Sequence, residues 1–178
     1  AGRAPPMPSW EASVRRRVTG EAGAWLEVWP EPFIPQKDCR YTQRTEIDVA
    51  QGGELFVVET LSPGRVARGE SFQFSELRWA LDIRLNSVPV VRERFKLSRT
   101  DESLDTLRHP FAQGYAATVY LLSERIGMDH PIWQTVRDLH GEHAWLGWSR
   151  LTSGGGMLKG LAAESVALED ILRRLRAM

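Results

Sequence analysis

Residues 77–86, LRWALDIRLN, alternate between apolar and polar with Ala80 as the one exception. Leu77, Trp79, Leu81, Ile83 and Leu85 fall on one side, and Arg78, Asp82, Arg84 and Asn86 on the other. A period of two sustained over this length marks a strand with one face in the core and one in water. Asn86-Ser87 then offers a turn, and residues 88–97 resume the pattern with Val91, Phe95 and Leu97 set against Arg92, Arg94 and Lys96. The pair predicts a hairpin. Pro89 has no amide to donate, so the second strand should begin at a sheet edge or a bulge.

Working outward, residues 13–18, 24–29, 41–49, 54–61, 70–74, 115–122, 144–151 and 157–162 read as further strands. Gly20, Gly23, Gly52-Gly53, Pro63-Gly64, Gly69 and Gly154-Gly155-Gly156 mark the turns between them. Short strands at this spacing belong to an all-β sandwich, barrel or solenoid. No fixed-period repeat is visible, so a regular solenoid with a consensus is not expected.

Two helices are expected late in the chain. The first spans 129–141, with Asp129 as N-cap, Pro131 in the opening turn, a stripe of Ile132, Trp133, Val136 and Leu139, and Gly141 as the stop. The second spans 165–177: Leu168, Ile171, Leu172 and Leu175 recur at helical spacing, and Arg173, Arg174 and Arg176 suit the C-terminal end of the dipole. Residues 98–110, SRTDESLDTLRHP, are polar enough for an exposed loop. The fold class expected is mainly β, a single domain of many short strands over 1–178 with two C-terminal α-helices.

The 178 residues contain 23 Lys and Arg against 23 Asp and Glu, with 42% hydrophobic residues. A chain of this size buries about 70% of its unfolded surface, so one core without covalent staples is feasible. Zero net charge removes the simplest argument for a nucleic-acid binder, and the runs Arg15-Arg16-Arg17 and Arg173-Arg174 read as solvated faces. The single cysteine, Cys39, allows no internal bridge, which points to a reducing compartment. The longest apolar stretch, 115–122, is far short of the roughly 18 residues that span a bilayer. Together these point to a soluble, cytoplasmic protein that binds neither membrane nor nucleic acid.

Few residues suggest chemistry. Gly154-Gly155-Gly156 lacks the Lys-Ser/Thr of a phosphate loop, and Ser149 and Ser153 have no nucleophile-elbow context. His140 and His143, in HGEH, have a spacing that two imidazoles on one metal could use, but Gly141 should break the geometry and no third ligand is near in sequence. His109 and His130 each precede a proline and read as turn residues. Glu27, Glu31, Asp38, Glu46, Asp48, Glu54, Glu59 and Glu70 crowd the first half, and paired acids could serve a carbohydrate-active enzyme or a hard-cation site. Glu59, among Phe56, Val57, Val58 and Leu61, needs a partner if buried, for which Arg65 or Arg68 would serve. Seven tryptophans, Trp10, Trp25, Trp29, Trp79, Trp133, Trp145 and Trp148, are many for this length. Trp79, Trp133 and one of Trp145 or Trp148 fit apolar stripes, whereas Trp25 and Trp29 could fill the core or anchor a partner.

Three stretches taken together resemble a known family. They are residues 25–35, WLEVWPEPFIP; residues 41–49, leading through Gln51-Gly52-Gly53 into 55–59; and residues 64–74, GRVARGESFQF. The first is similar to the Leu-Glu-x-x-Pro signature, and the third to the Gly-Arg-x-Ala-x-Gly-Glu-x-Phe run, of the urease accessory protein UreD family, called UreH in some organisms. Residues 92–97 resemble that family's Glu-Arg-x-x-Leu segment, and the match continues through 114–122 and 149–161. The family's N-terminal block of further strands and its Pro-Arg-x-Trp ending have no counterpart here, so a fragment or a divergent short member is expected.

The resemblance implies a non-enzymatic scaffold with a β-helix-like winding. Its partners would be the urease apoprotein and UreF, with UreG recruited through UreF, in support of nickel insertion into urease. It implies structural or partner-binding roles for Trp25, Glu27, Pro30, Gly64, Arg65, Gly69 and Glu70. No tightly bound cofactor is implied. Transient nickel contact would fall to Glu27, Glu59 and Glu70, because hard carboxylates suit exchangeable handling of a divalent ion. An Arg65–Glu70 pair that merely holds a turn would account for those two positions equally well.

Overall fold

The chain winds back and forth between two sheets. In the computed structural model, which describes residues 11–100, 102–108, 111, 114–127 and 129–177, β1 (Glu11–Gly20) lies in the first sheet and β2 (Trp25–Val28) in the second. β3 (Arg40–Val49) returns beside β1, and β4 (Glu54–Leu61) beside β2. After a small hairpin of β5 (Gly64–Arg65) and β6 (Glu70–Ser71), β7 (Glu76–Leu85) comes back beside β3. The β1–β3, β2–β4 and β3–β7 pairings are all parallel, which gives the helical winding. Glu11 faces Arg40 and Trp25 faces Glu54, a step of 29 residues in both sheets, whereas Arg40 faces Glu76, a step of 36. The longer step contains the β5–β6 hairpin. A coil of unequal turns leaves no constant period in the sequence.

The winding ends where antiparallel pairing begins. β8 (Val88–Ser98) folds back on β7 through Asn86 and Ser87, both at positive φ, as a two-residue hairpin turn requires. The ladder shifts register at Ile83/Arg84, and Arg84 pairs with Pro89, so the proline sits at a bulge on an edge strand. A short helix α1 (Ser103–Arg108) follows, then β9 (Tyr115–Leu122), α2 (Ile132–Leu139), β10 (Ala144–Arg150), β11 (Gly156–Ala162) and α3 (Ser165–Arg176). The first sheet has the order β1-β3-β7-β8 and the second β10-β11-β9-β4-β2. Neither closes into a barrel.

Burial explains each pattern. Between the sheets lie Ile47, Val49, Leu55, Val57, Leu81, Ile83, Tyr120 and Leu122, and toward the other end Tyr41, Leu61, Phe72, Phe74, Leu77 and Trp79. The second sheet is also covered on its far side, where Phe56, Val58, Val119 and Leu121 pack on α2 and α3. That double burial is why residues 115–122 are apolar almost throughout. Truncating Leu81 or Ile83 to alanine should cost about 2–5 kcal/mol.

Several local expectations change. Residues 98–110 are not simply a loop: β8 runs through Ser98, and α1 buries Leu104 as a plug on the apolar cluster around Phe72 and Leu97. His109, Trp10 and Met178 lie outside the described residues. α2 begins after Pro131, not at Asp129, and the ring of His130 accepts the Ile132 amide at 3.3 Å. It ends at His140 in extended backbone, so Gly141 is not its stop. Gly154 and Gly155 have positive φ, and a Cβ on Gly155 would lie 1.9 Å from the Leu121 carbonyl oxygen, so this turn demands glycine. Trp148 stacks on the buried Trp133 with ring centroids 4.3 Å apart, while Trp145 stays 49% exposed. Among the described residues no helix is long and apolar enough to cross a membrane.

The first sheet turns its other face to water, and the charges there are unevenly placed. Glu46 is paired with Arg15, Arg17 and Arg44; Glu76 with Arg40, Arg78 and Lys96; Asp82 with Arg44, Arg92 and Arg94. Arg17 and Arg15 hold the Glu46 carboxyl down at about 2. Lys96 and Arg78 lower Glu76. Burial alone would raise Asp82, but Arg94, Arg44 and Arg92 outweigh it and leave it lowered.

Candidate functional site

Two of the distinctive stretches meet on one side of the molecule. Pro30, Pro32 and Pro35 cannot extend the β2 ladder, and the chain leaves the sheet there. It touches β4 again only at Phe33, whose amide donates to Thr60 O at 2.9 Å and whose carbonyl accepts from Ser62 N at 2.9 Å. The β5–β6 hairpin stands next to this loop. Gly64 has φ of 144°, and a Cβ there would lie 2.0 Å from the Glu70 carbonyl oxygen, so only glycine lets the two strands approach. Gly69, at φ 72°, closes the intervening turn in the left-handed region. Arg65 grips Glu70 with both Nε and Nη2 at 2.7 Å, and the Lys37 amide adds a bond of 3.2 Å. The Arg65 guanidinium, then the Lys37 amide, hold the Glu70 carboxyl below its usual range, against the pull of desolvation.

α3 supplies the third wall. Its apolar stripe, Leu168, Ile171, Leu172 and Leu175, is buried on the second sheet, which leaves Arg173 and Arg176 along the opening. The three walls enclose a groove of about 1100 Å³ whose lining includes Glu27, Trp29, Pro30, Ile34, Gly64, Arg65, Arg173 and Arg176. Part of the charge in it is paired. Glu27 accepts from Arg176 Nε at 3.0 Å, the Arg176 guanidinium lies 5.6 Å from the Trp29 ring centroid, and Glu169 holds Arg173 at 2.6 Å. Ile34, by contrast, is 53% exposed. Paired charge around an uncovered apolar side chain is the chemistry of a recognition surface.

Glu27, Pro30, Gly64 and Arg65 thus share the groove. Trp25 does not line it; it is 51% exposed and stacks on Phe56. Gly69 and Glu70 shape the hairpin without lining the groove.

Glu59 lies elsewhere. It points between the sheets and does not meet Arg65 or Arg68, because alternate residues of β4 face β3 and β7. Trp79 Nε1 donates to Glu59 Oε2 at 2.7 Å, while Gln43 Nε2 and Thr45 Oγ1 donate to Oε1 at 2.9 and 3.3 Å. Tyr41 OH in turn donates to Gln43 Oε1 at 3.0 Å. Burial raises the Glu59 carboxyl above its usual range; the three donors only moderate this. From β8, Glu93 also turns inward and accepts from Tyr120 OH at 2.6 Å and from Lys159 Nζ at 2.8 Å. Desolvation pushes Glu93 up, but Lys159 and Tyr120 outweigh it and leave the carboxyl lowered. Glu59, Glu93 and Lys159 border one cavity of about 360 Å³ with Trp79, Phe95 and Leu161.

The three acids singled out for transient metal contact are therefore not brought together: Glu27 is in the groove, Glu59 between the sheets and Glu70 in the hairpin. Among the described residues no three His, Cys, Asp or Glu side chains cluster as metal ligands would. His140 Nδ1 lies 3.0 Å from both the amide and the carbonyl of Leu146, which engages the ring with the backbone. Glu93 and Arg176 escaped the sequence reading. Glu93 carried a signal, since it shares parity with Val91, Phe95 and Leu97 on the buried side of β8. Arg176 carried none, because its partner Glu27 is 149 residues away.

Comparison with known proteins matches the whole of residues 1–178 to the family described as UreD urease accessory protein. The urease accessory protein UreD of Opitutus terrae is 33% identical over 174 residues, 97% of this chain and 63% of that protein. UreD of Herpetosiphon aurantiacus is 33% identical over 79% of this chain and 51% of its own length. UreD 2 of Streptomyces griseus is 44% identical over 72 residues, 40% of this chain and 25% of its own. The chain spans roughly half to two thirds of the first two relatives it matches.

Proposed function

Because the chain belongs to the UreD family of urease accessory proteins, we propose that it acts as a non-catalytic scaffold in urease maturation, binding the urease apoprotein and UreF, and UreG through UreF. One observation supports this above others. Two family-like stretches whose starts lie thirty-nine residues apart in sequence fold onto one groove with α3, and two of the groove's acids, Glu27 and Glu169, are neutralised by Arg176 and Arg173. That arrangement suits gripping another protein. Carbohydrate chemistry would need a carboxyl pair free to exchange protons across the cleft.

Nickel enters this reading as cargo, with no resident cofactor. The carboxylates that could touch it in passing are Glu27, Glu59 and Glu70, and their separation favours brief contacts over a closed site. The setting would be the cytoplasm, where the lone Cys39 stays reduced.

The test is copurification of the full-length protein with urease apoprotein and with UreF in mild salt. Retention of either supports the scaffold; retention of neither sinks it. Ile34→Asp sharpens the test, because the side chain is exposed and its replacement should leave the fold intact. Partner retention should fall about tenfold, the scale of losing a centrally placed apolar contact, with the melting temperature unchanged.

A further inference from the structure

The neutral net charge conceals a sorted molecule. On the water-facing side of the first sheet, three carboxylates hold eight cations. The acids are nearly covered, with side-chain exposures of 11–15%, while their basic partners are 42–72% exposed. Arg84, also exposed, extends the same face from β7. What a partner meets is an array of guanidinium groups, with the Lys96 ammonium among them, whose counter-charges are less exposed than they are. With Arg84, and with Glu11 and Asp48 that share these outward positions, nine cations stand against five carboxylates, a surplus of four that the face presents to its surroundings.

We infer that this face of β1, β3, β7 and β8 is a docking surface for an acidic protein, one presenting Asp and Glu side chains to the exposed arginines. It is distinct from the groove under α3, and it would stand even if urease is not the occupant. Arginine forks pair bidentately with carboxylates, and the less exposed carboxylates keep them spread and oriented, so little side-chain freedom is lost on binding. Two other polyanions fit worse. Outward positions of these strands carry no aromatic ring on which a base could stack, and the arginine forks spread along the strands suit separate carboxylates. A lipid surface would want apolar side chains at the contact, and Ala80 is the sole apolar residue among the outward positions of β3 and β7.

The experiment uses full-length protein and a poly-glutamate peptide as probe, with a short DNA duplex and phosphatidylserine vesicles as parallel arms, each titrated at several salt concentrations. Poly-glutamate should bind, and weaken as salt screens the face. The triple variant R78Q/R84Q/R92Q should lose about tenfold in affinity, whereas the control R150Q/R174Q, outside the face, should match the wild type. A melting temperature within a few degrees of wild type shows that the triple variant is folded. Equal binding by the triple variant and the wild type overturns the inference. So does failure to bind poly-glutamate at low salt. Tighter binding to duplex or vesicles at matched salt would assign the face to those ligands instead. A self-association abolished by the triple variant, without poly-glutamate binding, would make the occupant a second copy and also overturn it.

Discussion

Glu59 and Glu70 are eleven residues apart, and both carry the acid that a weak metal contact would use, yet the fold treats them in opposite ways. Glu70 sits in the surface hairpin, gripped by Arg65, with its carboxyl held below the usual range. Glu59 sits between the sheets with neutral donors from Trp79, Gln43 and Thr45, and burial holds it above that range. A full positive charge at contact offsets desolvation; neutral dipoles offset only part of it. The hairpin carboxylate is a fastener between two short strands, while the interior one organises buried polar groups that would otherwise lack an acceptor.

Removing the interior acid should have the larger effect. Glu59→Ala leaves the buried Trp79 and Gln43 without the acceptor for their Nε1 and Nε2 donors, and should cost about 3 kcal/mol. A chemical denaturation midpoint equal to wild type would mean that water replaces the carboxylate and the interior contrast is false. Next comes Gly64→Ala, which brings a methyl onto the Glu70 carbonyl at a φ that side chains avoid. It should cost about 2 kcal/mol and act locally, speeding tryptic cleavage at Arg65 and Arg68 while the sheets persist. Unchanged cleavage would show the hairpin to be more plastic than its geometry implies.

The smallest effect is in the pH dependence, and there the two acids should differ in sign. The folded Glu59 carboxyl lies above its unfolded value, so its ionisation costs the folded state, and falling pH relieves that cost as the folded carboxyl takes up a proton. The folded Glu70 carboxyl lies below its unfolded value, so its contribution is complete above the unfolded value and is lost as pH falls through the folded one. Measured from neutral to acid pH, the stability advantage of wild type over E59Q should grow and that over E70Q should shrink. Slopes of the same sign would break the comparison. Glu70→Ala should also weaken partner retention without abolishing any chemical step, and normal complex formation with active urease would show the hairpin to be dispensable.

Legibility followed the range of the interactions. The β7–β8 hairpin could be read to within a residue at each end because its alternation, its Asn86-Ser87 turn and its Pro89 bulge all lie within twenty-three residues, Glu76–Ser98. α3 was equally open, since one apolar stripe suffices. α1 was hidden because only Leu104 and Leu107 of its few residues pack inward, too little for a period to show. The groove was half legible: its motif residues stood out as unusual runs, but nothing local says that residues 25–35 and 64–74 lie side by side under α3. Glu59 is conspicuous as an acid in an apolar run, but strand parity turns it toward Trp79 and Gln43 and outweighs its sequence proximity to Arg65 and Arg68.

By itself the sequence determined that this is a mainly β chain with two late helices, roughly where its longer strands lie, and which face of each is apolar, because those properties depend on side-chain periodicity within a single element. Only the tertiary structure decided that the strands wind in parallel turns of unequal length, that Glu27 meets Arg176, and that a chain of zero net charge shows water one strongly basic face. Parallel neighbours are joined by long crossovers, and charges on different strands become a surface only when register lines them up, so neither can be summed from composition.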